Sequence, residues 1–254
     1  MTIQRGTPGR PRHLLALQGM PAAELTALLD RADTPAMERP LAGAMVAGLF
    51  PAPSEPLDDA FAAALDMTGA ARAENLSQAV AAVARHPQVG GVAWLARNAP
   101  CPIVSAGDGD HENPIQALAD VQELRRRFGT VRGLVVILAG DIAHHGSAFS
   151  AIHMLNALGA FVRVVAPPTL LPPEIDRLGA EVFISPVDGL RGADAVLRYP
   201  LDLERSLGTL VPSAREYEAL YEIGDAVPLV QTTSASLAAV IAACLIHVTG
   251  EAAR

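Results

Sequence analysis

Short apolar runs alternate with helical patterns along most of the chain, and this alternation restricts its possible folds more than any other feature. The runs AMVAGLF (44–50), CPIVSAG (101–107), LVVILAGD (134–141), AFVRVVAPP (160–168), AEVFIS (180–185) and ADAVLRY (193–199) are almost continuously apolar. Such strands are buried on both faces, as in a parallel sheet covered by helices on each side. Helical patterns lie between them at 21–32, 57–70, 114–128 and 147–160. Asn113 and Pro114 suit the N-cap and first position of the third pattern. Gly159 suits the stop of the fourth. The alternation predicts an α/β fold with parallel sheets. A junction near residue 130 divides the pattern into two halves, and a last helical stretch covers about 233–248.

Composition narrows the function classes. With 254 residues, half of them hydrophobic, the chain can bury a sizeable core. No apolar run reaches the roughly 18–20 residues of a membrane span, and ASLAAVIAACLIHV (235–248) reads as a buried helix. The basic start MTIQRGTPGRPRH is followed by no apolar signal region, so it reads as a leader and a cytoplasmic protein is expected. The net charge of −8 argues against a nucleic-acid partner. Cys101 and Cys244 lack metal-ligand spacing and are expected as buried free thiols, with no metal or cofactor implied. All 19 basic residues are arginine, so no chemistry here can use a lysine. Arg125–Arg127 fall where a helix C-terminus favours cations.

Ligands in open parallel sheets bind beyond the carboxyl ends of the strands. Four loops occupy that position: FPAPSEPLDD, GDGDHENPIQ, GDIAHHGSAF and RYPLDLER. His144 and His145 read as surface or capping residues. Asp108, Asp110, His111 and Glu112 share one turn, and neighbours on a turn rarely converge on one ion.

These loops, in this order, resemble the aspartate/ornithine carbamoyltransferase family, its aspartate branch most closely. RHPQVGGVAWLARNAPCPIVSAGDG (85–109) is similar to the family's RHP motif leading into a GDG loop. NPIQAL sits where the family has HPTQ-A-L, and residues 140–175 resemble the first strand–helix–strand unit of its second domain. The resemblance implies two Rossmann-like parallel-sheet subdomains in shortened form. Residues 1–130 would be the carbamoyl-phosphate type and 131–232 the amino-acid type, with 233–254 returning to the first. It implies carbamoyl phosphate and an amino acid meeting between the subdomains, at a site shared by subunits of a trimer. The expected partners are therefore a homotrimer or a mixed assembly with a homologous carbamoyltransferase, and a small-molecule ligand.

Carried over by position, the substrate-binding residues are Ser54, Arg85, Asn113, Gln116 and Arg198, with no catalytic residue assigned. Several family features are changed. The S-T-R-T-R phosphate loop falls on Ser54–Asp58, where Pro56 and Asp58 replace both arginines. Asn113 replaces a histidine and Ile115 a threonine, and only 15 residues separate Gly69 from Arg85, too few for the family's mobile loop. Losing an arginine contact to a phosphate costs about 1.5–3 kcal/mol. The expectation is therefore a chain without carbamoyl transfer, serving as a structural or regulatory homologue. The alternatives are an enzyme repurposed for another small-molecule reaction in the same cleft, and an active aspartate carbamoyltransferase.

Overall fold

The computed structural model describes residues 13–34, 39–51, 55–202, 215, 217, 221 and 227–250. Of the leader expected at residues 1–13, residues 1–12 lie outside this set, as does Ser54, whereas His13 is buried and its Nδ1 accepts from the Ile103 amide at 3.1 Å. Elements in the first half are α1 (Ala22–Asp33), β1 (Met45–Leu49), α2 (Glu55–Thr68), β2 (Ala71–Arg72), β3 (Ala81–His86), α3 (Gly91–Asn98), β4 (Ile103–Asp108) and α4 (Pro114–Phe128). The second half contributes β5 (Val135–Gly140), α5 (Gly146–Leu158), β6 (Phe161–Val165), β7 (Ala180–Phe183), α6 (Pro186–Gly189), β8 (Ala195–Tyr199) and β9 (Leu229–Val230). A long helix, α7 (Ser234–Thr249), ends the described chain.

The strands form two sheets, ordered β2-β1-β3-β4 and β7-β6-β5-β8-β9. Every pairing is parallel. The apolar runs explain this: Val136, Ile137 and Leu138 are all fully buried, which requires cover on both faces of β5. Helix α7 packs on α1, α2 and α4, so its apolar surface is covered by the first half. One apolar cluster runs through both halves, from Val104 and Leu118 to Val136, Ile152 and Leu245. Among the described residues, no helix is long and apolar enough to cross a membrane.

Local signals set the boundaries near the cleft. Asn113 caps α4, its side chain accepting from the Gln116 amide at 3.1 Å, with Pro114 in the first turn. Arg125 at the other end of α4 reaches Asp30 of α1 at 2.6 Å. Gly159 ends α5 in a left-handed conformation. Five elements have no counterpart among the sequence expectations: β2, β3 (which carries Arg85), α3, α6 and β9. Ala81–His86 contains one β-branched residue and little else that favours a strand. It is a strand because β1 and β4 flank it on both sides.

Candidate functional site: the cleft between the two sheets

The carboxyl ends of β3 and β4 face those of β5 and β8 across a cleft of about 550 Å³. Arg85, Asn113 and Gln116 line it from the first half, and Arg198, Tyr199 and His145 from the second. Four of the five residues singled out in the sequence therefore meet in one place. The fifth, Ser54, lies outside the described residues, although its neighbours Pro56 and Leu57 also line the cleft.

Gly107 brings Arg85 and Asn113 together. It holds φ at +130°, and a Cβ built there would sit 3.6 Å from both Arg85 Cγ and Asn113 Nδ2. Only glycine adopts that backbone conformation readily. Asn113 commits its Oδ1 to capping α4, which leaves the Nδ2 donors for the cleft. Gln116 donates from Nε2 to Asp120 at 2.9 Å, so its carbonyl oxygen is the atom left to accept.

Asp120 lies one turn beyond Gln116 and is buried in the cleft wall. Burial pushes its carboxyl up to about 6, although hydrogen bonds from Thr232 and Gln116 pull the other way. Beside it, burial raises the Tyr199 phenol further, and the Asp120 charge adds to the effect. The Tyr199 hydroxyl is buried without a hydrogen-bond partner among the described residues. Sequence reading missed this group. The spacing of Gln116 and Asp120 on one helix face was an available signal, whereas Thr232 arrives from 112 positions away.

Two loops frame the cleft. In the loop after β4, Asp108 accepts from the Gly90 and Val92 amides at 3.1 and 2.9 Å and so fixes the start of α3. Glu112 is 1% exposed. It accepts from the Leu17 amide at 2.6 Å, the Gln18 amide at 3.3 Å and Ser150 Oγ at 2.8 Å. These carboxylates have structural partners, and no group of three or more metal-ligating side chains occurs among the described residues. In the loop after β5, Asp141 is fully buried and accepts from His144 Nδ1 at 2.9 Å and from the Asp202 amide at 3.1 Å. His145 precedes α5 but makes no side-chain cap. Its Nε2 meets the Pro200 carbonyl at 2.9 Å.

Two exposed arginines, Arg85 from the first half and Arg198 from the second, line one cleft between two parallel sheets, an arrangement that suits anionic ligands. Solved carbamoyltransferases share this architecture. The chain superposes on the aspartate transcarbamoylase catalytic subunit of M. jannaschii with a TM-score of 0.73, at 20% identity, covering 93% of this chain and 97% of that one. For the ornithine carbamoyltransferase of Pyrococcus furiosus the TM-score is 0.71, at 23% identity, with 84% and 78% covered. A Trypanosoma cruzi aspartate transcarbamoylase in complex with carbamoyl phosphate and aspartate gives 0.75, at 17% identity, with 93% and 95% covered. The fold is thus the carbamoyltransferase fold. The aspartate carbamoyltransferase catalytic subunit of Parvibaculum lavamentivorans is 41% identical over 239 residues, 83% of this chain and 73% of that protein. That of Gluconacetobacter diazotrophicus is 40% identical over 243 residues, with 84% and 76% covered. The chain belongs to the aspartate carbamoyltransferase catalytic subunit family. No protein-family profile matches it.

These relatives overturn the expectation of a structural or regulatory homologue without carbamoyl transfer. Proteins about 40% identical over more than four-fifths of the chain are catalytic subunits. That expectation rested on the lost family residues taken together and gave too little weight to the cleft that remains.

Proposed function

We propose that the cleft transfers a carbamoyl group from carbamoyl phosphate to the amino group of aspartate. The observation that carries this reading is the meeting of Arg85, Asn113 and Gln116 with Arg198 across one cleft. It is joined by the identity of the relatives, which are aspartate carbamoyltransferases. In the reaction the amine nitrogen bonds to the carbamoyl carbon and the carbon–oxygen bond to phosphate breaks. The bonding pair leaves with phosphate, and the nitrogen sheds one proton.

Each group has a role fitted to its chemistry. Arg85 offers a fixed fork of donors to the donor's anionic oxygens. Asn113 Nδ2 donates to the carbamoyl oxygen as negative charge develops there. The Gln116 carbonyl accepts from the carbamoyl NH2, its amide held in that orientation by Asp120. Arg198, at the end of β8, holds a carboxylate of the acceptor. Residues 1–130 then form the donor side and 131–232 the acceptor side, with 233–254 returning to the first. The family resemblance supports assembly as a trimer.

The test is carbamoyl aspartate formation by the purified protein from millimolar carbamoyl phosphate and aspartate. Arg85→Ala should lower kcat/KM about 100-fold, as expected when a charge-assisted contact is lost. A wild-type protein that makes no product would sink the reading. One observation favours a second reading, an enzyme acting on a different donor. Pro56 and Leu57 line the cleft where the resemblance places a cationic phosphate loop, which suits a donor less anionic than carbamoyl phosphate. Faster turnover with an uncharged carbamoyl donor would select it.

A further inference from the structure

We infer that His145, as an imidazolium, binds a carboxylate of the acceptor and so makes acceptor affinity depend on pH. The inference rests on the transfer reading for the identity of the acceptor, but the geometry stands by itself. His145 lines the cleft on the same side as Arg198. Its Nε2 lies 2.9 Å from the Pro200 carbonyl, which can only accept, so Nε2 carries a hydrogen. The ring is further held against Tyr199, with centroids 5.6 Å apart. Orientation and tautomer are thereby fixed, and Nδ1 is the atom left for a ligand.

Protonation of Nδ1 turns that atom from an acceptor into a cationic donor. An acceptor with two carboxylates needs two cationic partners on this side. Arg198 supplies one at every pH, and among the described residues lining the second half of the cleft His145 is the other group that can. Among the described residues, the charged and titratable groups around it are Asp141 and His144 on its own loop, Arg198, Tyr199 and Asp202 at the end of β8, Tyr217 behind Tyr199, and Arg85 and Asp120 across the cleft. Asp141 is committed to His144 and to the Asp202 amide, so it does not serve as the counter-ion of His145.

The test is calorimetric titration with L-aspartate, and with succinate, which has no amine to carbamoylate, at pH 6 and pH 8. Wild-type affinity should be about tenfold or more weaker at pH 8 than at pH 6, because only the protonated ring offers a cationic donor at Nδ1. His145→Gln can still donate to the Pro200 carbonyl but cannot gain charge, and its affinity should be equal at the two pH values. In the wild type, the His145 ring signals in NMR should shift on adding succinate at pH 6. That measurement stands even where the variant folds poorly. A pH dependence that persists in a folded His145→Gln protein, or ring signals that do not move, overturns the inference. Carbamoyl aspartate formation with such a result would leave the transfer reading standing. Lost pH dependence in the variant, from a wild type that forms no carbamoyl aspartate, would support the inference and sink the transfer reading. Absence of binding by either dicarboxylate would overturn the inference.

Discussion

The loops after β4 and β5 occupy equivalent places, each leading from the carboxyl end of a strand into a helix beside the cleft, yet they spend their polar groups differently. In the first, Asp108 and Glu112 turn inward and satisfy backbone amides from two other parts of the chain, residues 17–18 and 90–92. In the second, the one buried carboxylate, Asp141, fastens the loop, while His145 lines the cleft with its Nε2 on the Pro200 carbonyl. The two loops touch, since a Cβ on Gly146 would lie 3.0 Å from both the Glu112 amide nitrogen and the Gly109 carbonyl oxygen. One loop is thus a fastening and the other a reading surface. Acid-rich sequence beside a cleft does not by itself mean chemistry, because buried carboxylates are matched first to orphaned donors.

The sharpest way to break this comparison is Glu112→Ala. It strands the buried Leu17 amide, the part-buried Gln18 amide and the Ser150 hydroxyl, and should cost about 3 kcal/mol in urea unfolding, since hydrogen bonds to charged groups are individually strong. A loss below about 1 kcal/mol would mean that the first loop is not a fastening.

Asp120 gives the next effect, and its sign is opposite. Its folded-state value of about 6 lies above the ordinary 3.8. Between roughly pH 4 and 6 the folded protein keeps a proton that the unfolded chain has released, so this group's contribution to stability falls as pH rises through that window. Asp120→Asn removes the penalty. Its stability relative to wild type should rise by about 2 kcal/mol between pH 4 and pH 7. Equal curves for the two proteins would show that the carboxyl is ionised without penalty.

The smallest effect belongs to the second loop. His145→Gln should change stability by no more than about 0.5 kcal/mol, because its Nε2 contact can be replaced and its Nδ1 serves no structural partner among the described residues. A large loss would make His145 a structural residue and erase the contrast.

Legibility followed the range of the interactions. The start of α4 was readable because Asn113, Pro114 and Gln116 are neighbours, and the second sheet was readable because Val135–Gly140 and Phe161–Val165 are rich in β-branched residues. The start of α3 was not, since its capping carboxylate is Asp108, which lies 16 and 18 positions from the amides it satisfies. Arg85 entered the candidate site only through the family resemblance. Its own strand carries no pattern that marks it, and Glu112 gave no local sign of the amides 94 and 95 positions away.

The Glu112 fastening also says something about the order in which the molecule comes together. One carboxylate gathers the N-terminal segment at Leu17, the β4 loop and helix α5 at Ser150. The Ser150 oxygen in turn accepts from the Asn113 amide at 3.0 Å. None of those bonds can close until both sheets have formed far enough to present their edges, because each joins segments separated by long stretches of chain. The fastening therefore belongs to the late side of the folding barrier. Weakening it should leave the rate of folding nearly unchanged and shorten the lifetime of the native state, which stopped-flow folding and unfolding of Glu112→Ala would read.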